Sequence, residues 1–319
     1  MASASPAPAI ALDRLTRRFG DHAAVEELSF TVAPGTLHGL VGPDGAGKTT
    51  TLRMLAGVLA PTSGDARIEG VSVRDAPETV KHFIAYMPQR FGLYTDLTVR
   101  ENIDFFADLY GIPPARRPAR LEELFAFSGL GPFQHRMAGQ LSGGMKQKLA
   151  LCACLIHHPR VLLLDEPTLG VDPISRRELW LLLHRMVADG LTVLLSTAYL
   201  DEAERCDRVT LLHHGRALAD DAPERLQRSL PGTMLEIRGA DPRRAAGVLR
   251  DAPGVRRVAL FGETVHALYE SPDAERRSRD TLAAAGLRTT AIAVIEPSLE
   301  DVFIERVASR EAQLAAAGA

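Results

Sequence analysis

Residues Gly42-Pro43-Asp44-Gly45-Ala46-Gly47-Lys48-Thr49 constrain this chain more than any other stretch. They fit Gly-x-x-x-x-Gly-Lys-Thr/Ser, the pattern of a phosphate-binding loop. Four fixed positions arise by chance in roughly one chain in a hundred of this length. The flanks suit such a loop. Leu37–Val41 reads as a short apolar strand leading in. Lys48–Leu59 reads as a helix leading out, with Leu52, Leu55, Ala56 and Leu59 on one face. A helix N-terminus placed after a glycine corner gathers backbone N–H groups into an anion nest, to which the macrodipole adds positive potential. Gly42, Gly45 and Gly47 let the backbone turn tightly and approach phosphate oxygens. In this frame Lys48 reaches the β- and γ-phosphates of a nucleotide and the Thr49 hydroxyl ligates Mg²⁺. Pro43, Asp44, Ala46 and Thr50 complete the backbone around the phosphates.

The chain has 319 residues, enough for two domains. Its balance of 46% hydrophobic and 24% charged residues is that of a globular protein. A net charge of −3 gives no bulk electrostatic case for a nucleic-acid partner. The only lysines are Lys48, Lys81, Lys146 and Lys148, so Lys48 stands out in an arginine-rich chain. Cys152, Cys154 and Cys206 are too few and scattered for a disulfide framework. Cys152-Ala153-Cys154 lacks the further partners of a zinc site, and the thiols read as core groups in a reducing cytosol. Residues 1–9 are small and Pro-containing without a basic start, so a disordered tip is expected rather than a signal peptide. No run of 18 apolar residues occurs, so the chain is not expected to cross a membrane by itself.

From Ile10 to about His214, apolar strands alternate with helices, the signature of an α/β sheet covered on both sides. Val161–Leu164 and Leu191–Leu195 are continuous apolar runs, as buried parallel strands should be. Between them Ser175–Ala188 is helical, with Leu179, Leu182, Leu183 and Met186 on one face. The stretch 91–149 has helical segments, Glu101–Tyr110 and Arg120–Phe127, and little strand character. It reads as a helical insertion into the sheet domain. The expected organisation is a sheet domain over 10–230, a small α+β domain over 231–308 and a tail over 309–319. In the small domain, Met234–Arg238, Val255–Phe261, Val265–Tyr269 and Thr289–Val294 read as strands. Pro242–Arg250 and Asp273–Ala285 read as helices. The β-α-β-β-α-β order fits a ferredoxin-like unit.

Val161–Leu164 runs into Asp165-Glu166-Pro167. Adjacent residues on a strand point to opposite faces. One carboxylate can therefore face a metal while the next faces the attacking water. Asp165 suits the Mg²⁺ shell, and Glu166 suits the general base or water-positioning role.

Leu141-Ser142-Gly143-Gly144-Met145-Lys146-Gln147 adds a second exposed hydroxyl and pair of bare amides at a helix start, a second anion-binding N-terminus. One chain already has its own phosphate loop, so this second site must serve a partner's nucleotide. The segment resembles the signature of ATP-binding-cassette (ABC) ATPases, usually Leu-Ser-Gly-Gly-Gln. Its place between the phosphate loop and Asp165-Glu166 matches that family too. The resemblance spans about residues 10–222 and implies an ABC-type P-loop ATPase core with an inserted helical subdomain. It further implies ATP and Mg²⁺ as ligands and head-to-tail pairing with a second cassette, identical or not, across ATP. By the same resemblance, Phe19 stacks on adenine. Gln89, in Tyr86-Met87-Pro88-Gln89, bonds the metal or water and links the core to the insertion. Gly170-Val171-Asp172 crosses the dimer interface.

Together with Pro297-Ser298-Leu299-Glu300-Asp301-Val302-Phe303, the signature resembles bacterial drug- and antibiotic-exporter ATPases of the daunorubicin-resistance type. That implies a separately encoded, ABC-2-type membrane permease subunit. It also implies a cytoplasmic location, peripheral on the inner face of the cell membrane. Two positions depart from the family pattern. Met145 replaces the signature glutamine, with Gln147 two residues on. Ala198, in Leu195-Ser196-Thr197-Ala198-Tyr199, occupies the place of the switch histidine and cannot donate to a γ-phosphate. The pairs His157-His158 and His213-His214 read as structural. Two further readings share the motifs: a soluble, non-transport ABC protein, and an ATP-binding regulatory subunit that hydrolyses little.

Overall fold

The computed structural model describes residues 7–317 other than Ala240. Most of the tip expected to be disordered, residues 1–6, lies outside them. Ala9 is already built in: it is buried, and its N–H donates to the Val32 carbonyl over 2.9 Å. The chain divides into two compact units, Met1–Asp220 and Asp221–Ala319.

The first unit opens with β1 (Ile10–Phe19), β2 (His22–Val32), β3 (Leu37–Val41), α1 (Lys48–Leu55), β4 (Ser63–Ile68), β5 (Val71–Ser72) and α2 (Pro77–Val80). It continues with β6 (Ile84–Met87), α3 (Val99–Leu109), α4 (Arg117–Ser128), α5 (Gly143–Leu155), β7 (Val161–Asp165) and α6 (Pro173–Ala188). Then follow β8 (Thr192–Thr197), α7 (Leu200–Ala203), β9 (Arg208–His213) and β10 (Arg216–Asp221). Two sheets share this unit. A six-stranded sheet runs β10-β9-β3-β8-β7-β6 and is parallel from β9 through β6. Its strands β3, β7 and β8 are buried throughout, as their apolar runs require. A four-stranded antiparallel sheet, β2-β1-β4-β5, packs beside it. Sequence periodicity did not separate this second sheet from the α/β pattern.

One core joins the two sheets, with Leu15, Leu28 and Ile68 from the antiparallel sheet meeting Leu40, Leu52, Leu163 and Leu194. The helix after the phosphate loop is shorter than expected. It stops at Leu55, Ala56 caps it, and Gly57 turns the chain at φ +66°. The insertion contributes α3, α4 and most of α5. Thr98 and Glu101 form a reciprocal capping box at the start of α3. All three cysteines are buried, and burial raises their thiols, that of Cys152 to about 11.

The second unit holds α8 (Pro223–Arg228), β11 (Thr233–Arg238), α9 (Pro242–Arg250), β12 (Val255–Phe261), β13 (Thr264–Tyr269), α10 (Ala274–Ala284), β14 (Ala291–Ile295) and α11 (Leu299–Ala317). Its antiparallel sheet is ordered β12-β13-β11-β14, with α9 and α10 covering one face through Ala245, Leu249 and Leu282. The residues expected as a C-terminal tail, 309–317 of them, instead continue α11. Ser298 starts that helix: its hydroxyl accepts from the Asp301 N–H at 3.2 Å, and Asp301 accepts from the Ser298 N–H at 2.9 Å.

Candidate nucleotide site

The parallel register brings the functional segments to one edge. Val41 pairs with Thr197, and Asp165 pairs with Ser196. The carboxyl ends of β3, β7 and β8 therefore lie side by side, and the N–H of Gly42 donates to the Thr197 carbonyl at 3.2 Å. Ligands of open α/β sheets bind at such carboxyl ends. A cleft of about 520 Å³ opens there, lined by Phe19, His22, Ala24, Asp44, Gly45, Ala46, Gly47, Lys48, Thr49, Thr50, Gln89 and Glu166. Phe19 sits at the tip of the β1–β2 hairpin, opposite His22 in register and 48% exposed. The Arg17 guanidinium covers its ring at 4.6 Å.

The three loop glycines are required for different reasons. Gly45 sits at φ +77° in open space, so its need is purely conformational. Gly47 caps α1 at φ +102°, and a Cβ there would also meet the Ala24 carbonyl at 2.4 Å. Gly42 has no left-handed backbone. A Cβ there would meet the Leu212 carbonyl of β9 at 2.2 Å. Its backbone therefore lies close against a neighbouring strand, a requirement for glycine that the sequence reading did not include.

Lys48 is 4% exposed. Its ammonium donates to the carbonyls of Gly42 (2.7 Å) and Pro43 (3.1 Å) and pairs with Glu166 Oε1 at 3.1 Å. All three of its protons are thereby used. The other Glu166 oxygen accepts from Gln89 Nε2 at 3.3 Å. Glu166 is not the next residue of a pleated strand. β7 ends at Asp165, and Glu166 adopts φ +48°, a strained value for a residue with a side chain. The turn, rather than strand alternation, sends the two carboxylates apart.

Asp165 is buried beneath the loop. Its Oδ1 accepts from the Thr49 hydroxyl at 3.0 Å and the Ser196 hydroxyl at 2.8 Å. The Tyr86 hydroxyl approaches Oδ2 at 3.4 Å. Burial and then the charge of Asp165 push that phenol up to about 12. Ser196 also accepts from the Glu166 N–H at 3.0 Å, so one buried hydroxyl holds both acidic residues. Sequence reasoning missed Ser196 as a site residue. Its only signal was a small polar residue closing an apolar strand. Thr49 and Asp165, with Gln89 near, offer hard oxygen donors suited to Mg²⁺ on a polyphosphate. Among the described residues no cluster of three or more His, Cys, Asp or Glu side chains stands ready to hold a metal alone.

Ser142, Gly143 and Gly144 do not line this cleft. Ser142 caps α5, its hydroxyl accepting from the Met145 N–H at 3.3 Å, and both Ser142 and Gly143 face solvent. Gly144 is buried against Ser175, whose hydroxyl a Cβ would meet at 2.2 Å. Asp172 caps α6 by accepting from the N–H groups of Ser175 and Ile174, and these bonds hold its carboxyl below the usual range. Ala198 lies just beyond β8 and is exposed. His157 is structural: its Nε2 lies 2.9 Å from the Ile84 carbonyl, and its ring stacks on Tyr110. His213 ends β9 and His214 begins the turn after it, their rings 4.0 Å apart, and neither lines the cleft.

Residues 25–169 match the family profile described as ABC transporter. Residues 222–307 match "ATP-binding protein DrrA1-3-like, C-terminal domain". The chain is 42% identical over 300 residues to "Probable multidrug ABC transporter ATP-binding protein YbhF" of Escherichia coli (strain K12). That match covers 93% of this chain but 51% of the relative, so the chain spans about half its length. It is 38% identical over 313 residues to "Nod factor export ATP-binding protein I" of Paraburkholderia xenovorans (strain LB400), covering 97% of this chain and 99% of the relative. A solved structure titled "Structure of ATP binding subunit of ABC transporter" superposes with a TM-score of 0.62 at 32% identity, covering 69% of this chain and 92% of that one. The ADP- and Pi-bound dimer of the ATP-binding cassette MJ0796 superposes at 0.60 with 25% identity, over 67% of this chain and 98% of that one.

Proposed function

This chain belongs to the ABC transporter ATP-binding proteins, and from that premise we propose that it binds and hydrolyses MgATP to drive an exporter through a separate membrane subunit. The observation that carries this reading is the convergence of Lys48, Thr49, Glu166 and Gln89 on one cleft, with Asp165 bonded to Thr49 beneath it. The export named in the Nod factor relative supports the direction of transport.

Adenine stacks on the open face of Phe19, whose other face Arg17 covers. The phosphates follow the backbone from Asp44 to Thr50. Lys48 exchanges its bond to Glu166 for the β- and γ-phosphates. Glu166, so released, positions water for in-line attack. Thr49, Asp165 and Gln89 would hold Mg²⁺, which supplies charge neutralisation on the β- and γ-phosphate oxygens. A second cassette contributes its counterpart of Ser142-Gly143-Gly144, while this chain gives its own to the partner's nucleotide. Gly170-Val171-Asp172 crosses between them.

Ala198 supplies no donor, so this chain's own site turns over slowly and its natural partner carries the histidine. This favours a second reading, a mainly ATP-binding subunit of a heterodimeric pair. The chain acts as a peripheral cytoplasmic subunit docked on an ABC-2-type permease; among the described residues no helix is long and apolar enough to cross a membrane. The docking face is the Tyr94 loop. Buried Asn102 pins it by accepting from the Tyr94 N–H and donating to its carbonyl, both at 2.9 Å. Tyr94, Phe105 and Leu109 stay exposed there. The deciding experiment is the ATPase rate of the full chain, alone and with the membrane subunit in lipid vesicles. Stimulation by the subunit supports the reading. Absence of MgATP binding overturns it.

A further inference from the structure

Glu202 is 1% exposed, on α7 just beyond the Ala198 turn, and does not line the nucleotide cleft. Its Oε2 accepts from two hydroxyls, Thr168 at 2.9 Å and Thr197 at 2.8 Å. Thr197 in turn accepts from the Tyr199 N–H at 3.0 Å, so the carboxylate fixes the backbone on both sides of Ala198. Thr168 is two residues past Glu166 in the same tight turn, where the Leu169 N–H donates to the Glu166 carbonyl. The third neighbour is Arg176, in the first turns of α6 behind the Gly170–Asp172 loop. Its Nε lies 3.5 Å from Glu202 Oε1, and its guanidinium rests 5.0 Å over the Tyr199 ring.

That third contact is incomplete. Arg176 Nε and Glu202 Oε1 are both buried, opposite in charge, and neither makes a hydrogen bond. A buried donor and acceptor left unpaired are costly, and a charge-assisted bond between them is strong. A shift of a few tenths of an ångström would close the gap to hydrogen-bond length.

We propose that Glu202 is a positioning residue for hydrolysis. In this assignment the carboxylate couples α6, behind the loop that crosses to the second cassette, to the two turns that carry Glu166 and Ala198. Pressure of the partner on Gly170–Asp172 completes the Arg176–Glu202 bond, and the two threonine hydroxyls transmit the shift. The inference rests on the reading above that the chain hydrolyses ATP.

The test uses the full chain, with Glu202→Gln, Arg176→Met, their double variant, Thr197→Val and Thr197→Ser. Each is checked for folding by thermal melting, then measured for ATP affinity and single-turnover hydrolysis. Glu202→Gln, Arg176→Met and Thr197→Val should each slow hydrolysis by about tenfold or more while ATP affinity stays within about twofold. The double variant should be no slower than the slower single, and Thr197→Ser should restore the rate that Thr197→Val loses. Should Glu202→Gln fail to fold, Arg176→Met and the Thr197 pair decide. Wild-type rates in folded variants, or equal losses in affinity and rate, overturn the positioning role. A wild type that neither binds nor hydrolyses ATP overturns the parent reading instead.

Discussion

The ammonium of Lys48 and the carboxylate of Glu166 neutralise one another across 3.1 Å, in a cleft where each is proposed to serve the nucleotide. The two groups hold each other's places. On the proposed reading, a γ-phosphate arriving at Lys48 would displace Glu166 in the same movement, so ion exchange at one nitrogen would ready the base. Gln89, bonded to the far oxygen of Glu166, would experience that exchange directly.

Lys48→Ala is expected to weaken MgATP binding at least tenfold, about 1.4 kcal/mol or more. The variant also leaves the carbonyls of Gly42 and Pro43 without their donor, so the loop itself loosens. Titration calorimetry against ATP checks this. Equal affinity in variant and wild type would remove the phosphate loop from the site.

Glu166→Gln keeps the shape and loses the charge. Turnover should fall by roughly 10²-fold or more while ATP still binds, because positioning water is a transition-state task. The ATP-bound dimer should then persist on size-exclusion chromatography. Unchanged turnover would move the base elsewhere.

Restoring a donor with Ala198→His should raise the ATPase rate of the purified chain, by up to about 10²-fold if the imidazole aligns with the γ-phosphate. The position is exposed and the preceding backbone is bonded at Gly42, so the new side chain has room and a fixed start. A wild-type chain that already turns over briskly, with no gain from histidine, would show that another group fills the role.

Tyr94 is 44% exposed and packs edge-on against Phe105 at 4.6 Å. A cysteine placed at Tyr94 should cross-link to the membrane subunit in native membranes, and one at exposed Leu181 on α6 should not. Failure of a well-folded panel spanning Phe91–Leu97 would move the docking face.

His38 gives a pH signature. It is buried, 2.8 Å from the Thr210 hydroxyl, and burial together with Arg208 lowers its imidazole from 6.5 to about 3. It is therefore neutral at pH 7, and its 3.8 Å approach to Asp220 is not an ion pair. Below pH 6.5 the unfolded chain takes up a proton that the folded chain refuses until about pH 3. Stability is thus lost as pH falls through that window. His38→Gln should flatten the drop in urea midpoint between about pH 7.5 and 5.5. An equal drop in both proteins would place the titration elsewhere.

The strands and the nucleotide loop were legible because each is written in contiguous residues. Val161–Leu164 is apolar on both faces, Leu37–Val41 is apolar but for His38, and Gly42–Thr49 declares its own turn. What stayed hidden depends on distance along the chain. Ser196 meets Glu166 thirty residues away, and Glu202 joins Thr168 to Thr197, with no local pattern to announce either. The antiparallel sheet was missed because bulges shift the β1–β2 register between Leu12 and Arg18, which blurs strict alternation. The length of α1 was overread because Leu59 keeps helical spacing past Gly57. The run 309–317 was read as a tail because its alanines give a helix no apolar face to recognise.

Gly42 changes what can be done with the nucleotide loop as a transferable part. The carbonyl of Leu212 fills the space that a side chain would take there, so the loop is fitted closely against the adjacent strand. Copying residues 42–49 onto another strand–helix junction would carry over the anion nest without the wall it leans on. A successful graft would have to bring Leu212 and its strand along. Gly42→Ala should accordingly show its damage as a sheet that no longer closes, before any nucleotide is added.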